Sequence, residues 1–368
     1  MKATHSRALV LVILFLAMII LPNAALLMPQ GENIEQRTLS EFPDIHATGI
    51  DDFPAQFDSY YNDRLPGKNL WVNLYSRICL NVFGVSSNSS VIVGKDGWLF
   101  FDSLKANDMD EMADYHHSIQ YTENEMARIA ALLTCANDLY ASRGISFYLM
   151  LCPNKSTVYG DEFLPSAYVC QLAEQSRTQQ LIAYLKEHTE VQVVETLPRI
   201  EQAKAEGQQV YQKMDTHWNQ LGAFAAYQAL CAEQGKPVPA LPAWQTYMLD
   251  RQDLNRMLAL PERAEELYAL DYHSTVTVEE HARDNAAWAE FTSDADSSDR
   301  WLVYHDSFMI FFKPFLNVDS ARCVYRAYPQ CFNFNLADVE AEQPTAVLLE
   351  MVERNVPMLL GFTCEEFQ

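Results

Sequence analysis

Apolar and polar residues along the middle of the chain follow two periods, one helical and one strand-like. A Thr122-x-x-Glu125 capping box opens a helical stretch that Arg143-Gly144 ends, and the apolar run after it predicts a buried strand. The same order then repeats, giving helices at 122–142 and about 174–188 and strands at 145–151 and 191–194. This alternation favours an α/β domain in which helices cover both faces of a central parallel sheet.

Three further segments surround this repeat. Apolar runs on both sides of Gly94-Lys95-Asp96-Gly97 predict a hairpin, and residues 237–300, irregular and acidic, predict an insertion between sheet elements. Apolar runs at 321–327 and 345–350 predict the closing strands. We therefore expect a membrane anchor or signal segment at 1–29, a linker with helices and the hairpin at 30–105, and the α/β domain at 106–368, with its insertion at about 237–300.

The first candidate for chemistry is a carboxylate two residues before an imidazole, in Asp215-Thr216-His217. Helical periodicity begins after Asn219, whose side chain is expected to cap the helix. Asp215 and His217 then lie on the loop that enters this helix, where residues two apart share one side of the extended backbone. The carboxylate is placed to orient the ring, as in half of a catalytic triad.

The missing nucleophile is predicted at Ser307. It lies in a polar break between an apolar strand-like run and a second apolar run, in Tyr304-His305-Asp306-Ser307-Phe308. A serine on a strand-to-helix turn projects its hydroxyl from the end of the sheet, and free N–H groups at the helix start can stabilise an oxyanion. By itself, a serine at a helix start is more often an N-cap.

The amino terminus predicts a targeting segment. A mildly basic start precedes an apolar run at 8–21, which resumes at 24–28 after Pro22-Asn23. A cleaved signal peptide is one interpretation, since the unbroken run is short for a membrane span. An uncleaved anchor is favoured, because 8–28 is long enough to span and no clear cleavage site appears. The basic end would stay in the cytoplasm and the rest of the chain outside.

Charge and cysteine spacing exclude several classes of function. The formal net charge of −23 argues against nucleic acid and against a polyanionic substrate, and makes a neutral glycan easier to accommodate. The eight cysteines contain no C-x-x-C pair, so zinc-finger and redox motifs have no support. Cys323 and Cys331 are the first disulfide pair to test, whereas Cys135 and Cys152 are expected to be buried apolar residues. No metal site and no cofactor are predicted.

Several motifs resemble those of a known family. Asp-Thr-His-Trp-Asn-x-x-Gly-Ala at 215–223, Asp-Ser-Phe at 306–308, Gly-Lys-Asp-Gly-Trp-Leu-Phe at 94–100 and Pro-Asn-Lys-Ser-Thr-Val-Tyr at 153–159 resemble the SGNH-hydrolase-like proteins of alginate O-acetylation, AlgX/AlgJ, and the related DHHW proteins. The order of the motifs also agrees, and the resemblance extends from about residue 32 to the end. The sequence departs from the family at His305, where a glycine usually precedes Asp-Ser.

The resemblance implies a flavodoxin-like SGNH-hydrolase domain outside the cell membrane, with Ser307 as nucleophile, His217 as general base and Asp215 orienting it. It implies acetyl transfer to an exopolysaccharide or cell-wall glycan, with a membrane-bound O-acyltransferase as acetyl donor. Candidate substrate-binding residues are Asn154, which is also a candidate oxyanion donor, Lys155 and Trp218. Lys155 is alternatively a surface or cap residue, and Trp218 alternatively packs under the His217 loop.

Three functions from different classes fit the sequence. The first is an O-acetyltransferase with an acetyl-Ser307 intermediate. The second is a carbohydrate acetylesterase that uses the same three residues with water as the acceptor. The third is a catalytically silent glycan-binding scaffold, which the acidic insertion and His305 favour slightly. The sequence does not identify the glycan.

Overall fold

The computed structural model describes residues 39–64, 68–106, 109–283, 285, 287–329 and 331–365, together with 11–13, 15–17 and 20. The apolar segment 8–28, for which a membrane helix or signal segment is predicted, lies mostly outside these residues. In the part of the chain that is described, no helix has both the length and the apolar character needed to cross a bilayer.

The chain forms two compact units. The smaller unit comprises Met1–Asn88 and Asn255–Arg263, and the larger comprises Ser89–Leu254 and Ala264–Gln368. Described helices of the smaller unit are α1 (Ile45–Arg64), interrupted at Gly49, and α2 (Lys68–Ile78), which continues into a π-helical turn at Cys79–Phe83. The candidate site described below lies entirely in the larger unit.

The larger unit is built on a seven-stranded sheet with the order β4-β3-β12-β9-β10-β8-β7. The strands among the described residues are β1 (Val91–Val93), β2 (Leu99–Phe101), β3 (Ser146–Cys152), β4 (Gln192–Glu195), β5 (Trp244–Leu249), β6 (Glu265–Leu270), β7 (Val278–His281), β8 (Trp288–Ser293), β9 (Arg300–His305), β10 (Arg322–Ala327), β11 (Asn333–Phe334), β12 (Ala346–Val352) and β13 (Thr363–Cys364). Strands β4, β3, β12, β9 and β10 are parallel, as predicted.

The sheet is mixed rather than wholly parallel, which corrects the sequence-based prediction. Strand β8 pairs antiparallel with β10, and β7 pairs antiparallel with β8. Both strands come from the segment 237–300, which also contains the antiparallel hairpin of β5 and β6 and is therefore more regular than predicted. Strands β7 and β8 contain no buried residue. Their apolar pattern is consequently too weak to identify them as strands.

Helices cover both faces of the sheet. The helices after α2 are α3 (Glu111–Tyr115), α4 (Glu123–Ala141), α5 (Lys155–Phe163), α6 (Arg177–His188), α7 (Leu197–Ala205), α8 (Gln220–Glu233), α9 (Asp253–Met257), α10 (Met309–Val318) and α11 (Leu336–Glu342). In β3, Phe147 and Leu149 pack in the core formed with α4 and α6, whereas Tyr148 and Met150 pack in the core formed with α7, α8 and α10. Alternate residues of one strand thus fill two separate cores, as expected for a sheet covered on both faces.

The local signals at the ends of the central elements are confirmed. Thr122 and Glu125 form the predicted capping box of α4, and β3 begins within one residue of its predicted start. The predicted hairpin forms as β1 and β2.

The predicted disulfide is wrong. Cys135 of α4 bonds to Cys364 of β13, so Cys135 is not the free buried residue that was expected. Cys323 and Cys331 are both free: Cys323 is buried in β10, while Cys331 lies exposed on a loop. Cys152 is buried, as expected.

Candidate active site

Ser307 lies on the turn between β9, which ends at His305, and α10, which begins at Met309. Its side chain is exposed, and its Oγ lies 2.7 Å from Nε2 of His217. The structure therefore brings together two side chains that are ninety residues apart in the sequence. The hydroxyl reaches solvent and an imidazole nitrogen at the same time, as a serine nucleophile requires.

Asp215 completes the hydrogen-bonded chain. Its Oδ1 lies 2.6 Å from His217 Nδ1 and also accepts the backbone N–H of His217 at 3.0 Å. Because Nδ1 faces a carboxylate, it carries the proton, and Nε2 is left to accept the Ser307 hydroxyl proton. The three residues predicted from the sequence thus lie in the geometry that a nucleophile, a base and an orienting acid require, and their catalytic roles stay a prediction.

The loop that carries Asp215 and His217, which we call the base loop, is fixed by the helix that follows it and by the turn around Ser307, which we call the serine turn. Asn219 Oδ1 caps α8 by accepting the N–H groups of Leu221 and Gly222, which confirms the predicted cap. Next to it, fully buried Trp218 donates its indole N–H to the carbonyl of Phe308 at 2.9 Å. This hydrogen bond ties the base loop directly to the residue after the nucleophile.

The electrostatics of the pair favour a charged Asp215. Burial alone would raise the pKa of Asp215, but the hydrogen bonds and charge of His217 and the N–H of Asp253 outweigh it and lower that pKa. For His217, burial acts to lower the pKa, and the opposing effects of Asp215 and Asp253 leave it above its ordinary value of 6.5. These carboxylates therefore favour the charged, imidazolium form of His217.

Asp253 is a second carboxylate beside His217 that the sequence analysis did not single out as functional. Its Oδ2 lies 3.7 Å from His217 Nδ1, its N–H donates to Asp215 Oδ2 at 2.9 Å, and its Oδ1 accepts the N–H of Thr216 at 2.9 Å. Burial, with the nearby Asp215 charge, raises the pKa of Asp253 to about 6. Asp253 therefore clamps the loop between the two predicted residues. Its sequence signal is the stretch Asp253-Leu254-Asn255-Arg256-Met257-Leu258, which also resembles the AlgX/AlgJ family.

Asp306, the residue before the nucleophile, anchors the serine turn to the rest of the sheet. Its Oδ1 accepts the N–H of Phe308 at 3.0 Å, and its own N–H donates to Glu350 Oε2 at 3.1 Å. Its Oδ2 accepts three hydrogen bonds, from Tyr328 O–H, Val352 N–H and Asn355 Nδ2. The turn is thereby fixed to β12 and to the segments around it.

These observations can be compared with known proteins. The family model described as "SGNH hydrolase-like domain, acetyltransferase AlgX" matches residues 91–295, more than half of the 368-residue chain. The chain belongs to this family. The match includes Asp215 and His217 and ends before Ser307, so the place of Ser307 in the site depends on the geometry. The family resemblance inferred from the motifs is confirmed.

The curated relatives of this chain are distant in sequence and longer than it. The chain is 27% identical over 241 residues to the probable alginate O-acetylase AlgJ of Azotobacter vinelandii, covering 61% of this chain and 57% of that protein. It is 27% identical over 182 residues to the protein of that name from Pseudomonas aeruginosa, covering 48% of this chain and 41% of the other. The chain thus spans about half the length of the curated relatives it matches.

Solved structures agree in fold. A DHHW family protein from Eubacterium siraeum has a TM-score of 0.50 at 14% identity, covering 75% of this chain and 99% of that one. PatB1 of Bacillus cereus has a TM-score of 0.50 at 16% identity, with coverages of 73% and 98%. At these identities the likeness concerns the fold alone, which is the SGNH-hydrolase-like α/β fold predicted from the motifs.

The three predicted substrate-binding residues are all buried, and each makes contacts within the protein. Lys155 is only 2% exposed, and its Nζ donates to the carbonyls of Gln212, Lys213 and Asp215. The alternative of a surface position for Lys155 is wrong, because this side chain holds the base loop from beneath. Burial lowers the pKa of Lys155 to about 8, against the opposing effect of nearby carboxylates. Trp218 packs under the His217 loop, which was the alternative interpretation.

Asn154 lies in a buried polar network next to β3. Its Nδ2 donates to Asp114 at 3.4 Å, and its Oδ1 accepts from Arg354 at 3.3 Å. Asp114 also pairs with Arg177 at 2.5 Å, and burial raises the pKa of Asp114 to about 8. With both ends of its amide engaged, Asn154 acts in the structure as a bridge between buried charges.

His305 occupies the family's glycine position without strain. It is the last residue of β9, it pairs with Ala327, and its backbone lies outside the left-handed region in which glycine is favoured. Its Nδ1 lies 2.7 Å from the carbonyl of Asp306, and burial, with the nearby Lys313, lowers its pKa to about 4. The ring is therefore neutral, and the turn tolerates a side chain at this position.

Asp215, His217 and Asp253 bring one potential ligand atom each to within 4.8 Å of one another, a spacing that a metal ion could bridge. The same His217 Nδ1 already faces Asp215 at 2.6 Å. A cation at this point would compete with that proton for Nδ1. The expectation of a metal-free site stays a prediction.

Proposed function

We propose that this protein is an extracytoplasmic O-acetyltransferase that moves an acetyl group onto a hydroxyl of an exopolysaccharide or cell-wall glycan. The observation that supports this most directly is the hydrogen-bonded chain from Ser307 through His217 to Asp215, with the serine hydroxyl exposed. Membership of the AlgX-type family adds the acetyl group as the expected cargo.

The first half of the proposed reaction forms an acetyl-serine. Ser307 Oγ attacks the carbonyl carbon of the acetyl donor while His217 Nε2 takes the hydroxyl proton. As the tetrahedral intermediate collapses, the donor's leaving oxygen takes this proton from His217. Asp215 keeps the ring in the required tautomer and stabilises its charged form throughout.

Backbone groups at the serine turn would support this step. The N–H of Phe308 is occupied by Asp306 Oδ1, whereas no acceptor for the N–H of Ser307 occurs among the residues that the structure describes. This N–H belongs to the nucleophile itself and precedes α10, so the developing oxyanion is its natural acceptor.

The second half releases the acetyl group to an acceptor. His217 Nε2 takes a proton from a glycan hydroxyl, whose oxygen attacks the acetyl carbon, and the proton then returns to Ser307 Oγ. Water in the same position would give an acetylesterase. The relatives are named for alginate, but the formal net charge of −23 favours a neutral glycan for this chain.

We also propose where in the cell the reaction takes place. The apolar segment 8–28 would attach the protein to the cell membrane with the domain outside, or direct its secretion if it is cleaved. A membrane-bound O-acyltransferase would then deliver the acetyl group from the membrane to Ser307.

Purified protein incubated with p-nitrophenyl acetate and short neutral glycans tests the function. Nitrophenol release with acetylated glycan supports the transferase, and release with acetate alone supports the esterase. Neither product, with a folded protein, supports a scaffold. We expect Ser307→Ala to lower the rate by roughly a thousandfold or more. Ser166→Ala, at an exposed serine outside the site, should leave the rate unchanged.

A further inference from the structure

Helix α2 of the smaller unit exposes an apolar face. Trp71, Leu74, Tyr75, Ile78 and Val82 follow one another at helical spacing along α2 and its π-helical extension, and they are 42–69% exposed. We call these five residues the α2 apolar face. Contiguous apolar surface of this kind on a folded protein marks a contact with a partner or a membrane.

The helix is inverted relative to an ordinary amphipathic helix, because Ser76, the buried residue of α2, is polar. Asn73 Nδ2 donates to the carbonyl of Ala259 at 2.9 Å, and Ser76 Oγ lies 2.8 Å from Ser87 Oγ, all within the same unit. Ser76 is 2% exposed. These hydrogen bonds fix the rotation of α2, so the apolar face cannot turn inward without leaving buried polar groups unpaired.

The charge pattern around the face differs from that of the rest of the chain. The sequence has 49 acidic residues, yet residues 64–95 contain neither aspartate nor glutamate. Lys68 and Arg77 lie at the two ends of α2, and Arg77 is half-exposed and pairs with Glu262. The apolar face is thus carried by an acid-free segment of a strongly acidic protein. An anionic surface would be repelled less by this segment than by the rest of the protein.

We propose that the α2 apolar face lies on the lipid bilayer, with α2 parallel to the membrane surface. Trp71 and Tyr75 are the residue types that collect at the boundary between lipid headgroups and acyl chains, and the aliphatic members would enter the acyl region. The inference rests on the proposed membrane attachment through segment 8–28. That segment and α2 would then be two separate membrane contacts, which together hold a protein far more firmly than either alone.

Tryptophan fluorescence of the full chain tests the contact. The protein is reconstituted in vesicles of phosphatidylglycerol and phosphatidylcholine, with the phosphatidylcholine brominated in the upper acyl chain so that it quenches nearby indoles. Segment 8–28 contains no tryptophan, so quenching reports on the folded part. We expect a quenched component in the wild type that is lost in Trp71→Phe. Trp244→Phe, at a 48% exposed tryptophan of the larger unit, should retain it.

A second variant keeps Trp71 and changes its neighbours. In Leu74→Glu/Val82→Glu, the quenching of Trp71 should fall severalfold with an unchanged circular dichroism spectrum. If Trp71→Phe shows the same quenching as the wild type, the proposal is overturned. The proposal is also overturned, in favour of a protein partner, by a second result. In that result bromolipid does not quench Trp71, but Trp71 becomes shielded as protein concentration rises or when the membrane-bound acyltransferase is added.

The same samples separate this inference from the proposed function. Hydrolysis of p-nitrophenyl acetate depends on Ser307 and not on the α2 apolar face. Absence of hydrolysis with Trp71 quenched counts against the proposed function alone. Hydrolysis at the wild-type rate with Trp71 unquenched counts against the bilayer contact alone.

Discussion

His217 is the proposed general base, and its protonation should set the pH dependence of the rate. The ring must be neutral to accept the Ser307 proton, and the surrounding carboxylates raise its pKa above 6.5. The rate constant kcat/KM for p-nitrophenyl acetate should therefore rise with pH through a midpoint above 6.5. A pH profile measures this. Asp215→Asn should move the midpoint downward and lower the plateau by as much as roughly ten-thousandfold, since the tautomer is no longer fixed.

A midpoint at or below 6.5 in the wild type would contradict the role of His217 as a general base held between carboxylates. Ser166→Ala should give the wild-type profile, because it leaves the groups around His217 unchanged.

Asp253 gives a second prediction at the residue scale. Asp253→Asn removes a charge that raises the pKa of His217 but keeps an oxygen that can accept the N–H of Thr216. The midpoint of the pH profile should fall, and kcat should drop by about tenfold because the base loop is less firmly oriented. A purely structural residue would lower the yield of folded protein without moving the midpoint. Asp250→Asn, at an exposed carboxylate three residues away, provides the control.

Among the secondary-structure elements, α5 supports the base loop through its first residue, Lys155. The ammonium group donates to three carbonyls of that loop. Lys155→Met leaves two of them unpaired in a buried site, whereas the third, that of Lys213, also accepts the N–H of Leu99. We expect a loss of about 3 kcal/mol in the free energy of unfolding. A lower kcat should accompany it, because Asp215 loses its support. Lys95→Met, at an exposed lysine of the hairpin, should change neither quantity measurably. Equal stabilities of the two variants would contradict a supporting role for Lys155.

Elements with strong local signals could be predicted from the sequence. The cap at Asn219, the capping box at Thr122 and the strand-to-helix turn at Ser307 depend on residues close together in the chain, and each lies where it was expected. The placement of Asp215, His217 and Ser307 on turns could be predicted for the same reason, while their catalytic roles stay a prediction. Each lies on a turn that its own neighbours define.

Features that depend on distant partners could not be predicted in this way. Lys155 resembles a surface lysine in the sequence, and only the folded chain brings the base-loop carbonyls to its Nζ. Glu350 and Arg354 are spaced as an ion pair could be, but Glu350 contacts Cys152 and Asp306, and Arg354 contacts Glu111 at 3.6 Å. Strand β7 at the edge of the sheet and its neighbour β8 could not be predicted, because a half-exposed strand lacks the apolar pattern of a buried one.

At the scale of the whole molecule, the larger unit is closed by one covalent link between distant parts of the chain. The disulfide between Cys135 and Cys364 joins α4 to β13 across 229 residues. Because it restricts the unfolded chain over a long loop, reduction should cost about 2–5 kcal/mol and lower Tm by on the order of 10 °C. Thermal unfolding with and without reductant measures this. Cys364→Ser should reproduce the reduced wild type, and Cys170→Ser, at an exposed free cysteine, should not.

A Tm that does not respond to reductant would mean that the link does not form. That outcome would also weaken the proposed location, because a structural disulfide persists mainly in the oxidising surroundings outside the cytoplasm. A reductant-sensitive Tm would support both at once. It would also connect the stability of the larger unit to the candidate site through β3. One face of β3 packs against α4, which carries Cys135. On the other face, the buried Cys152 contacts Glu350, which binds the serine turn. Reduction should therefore lower the temperature at which hydrolysis is lost, while leaving kcat at low temperature unchanged.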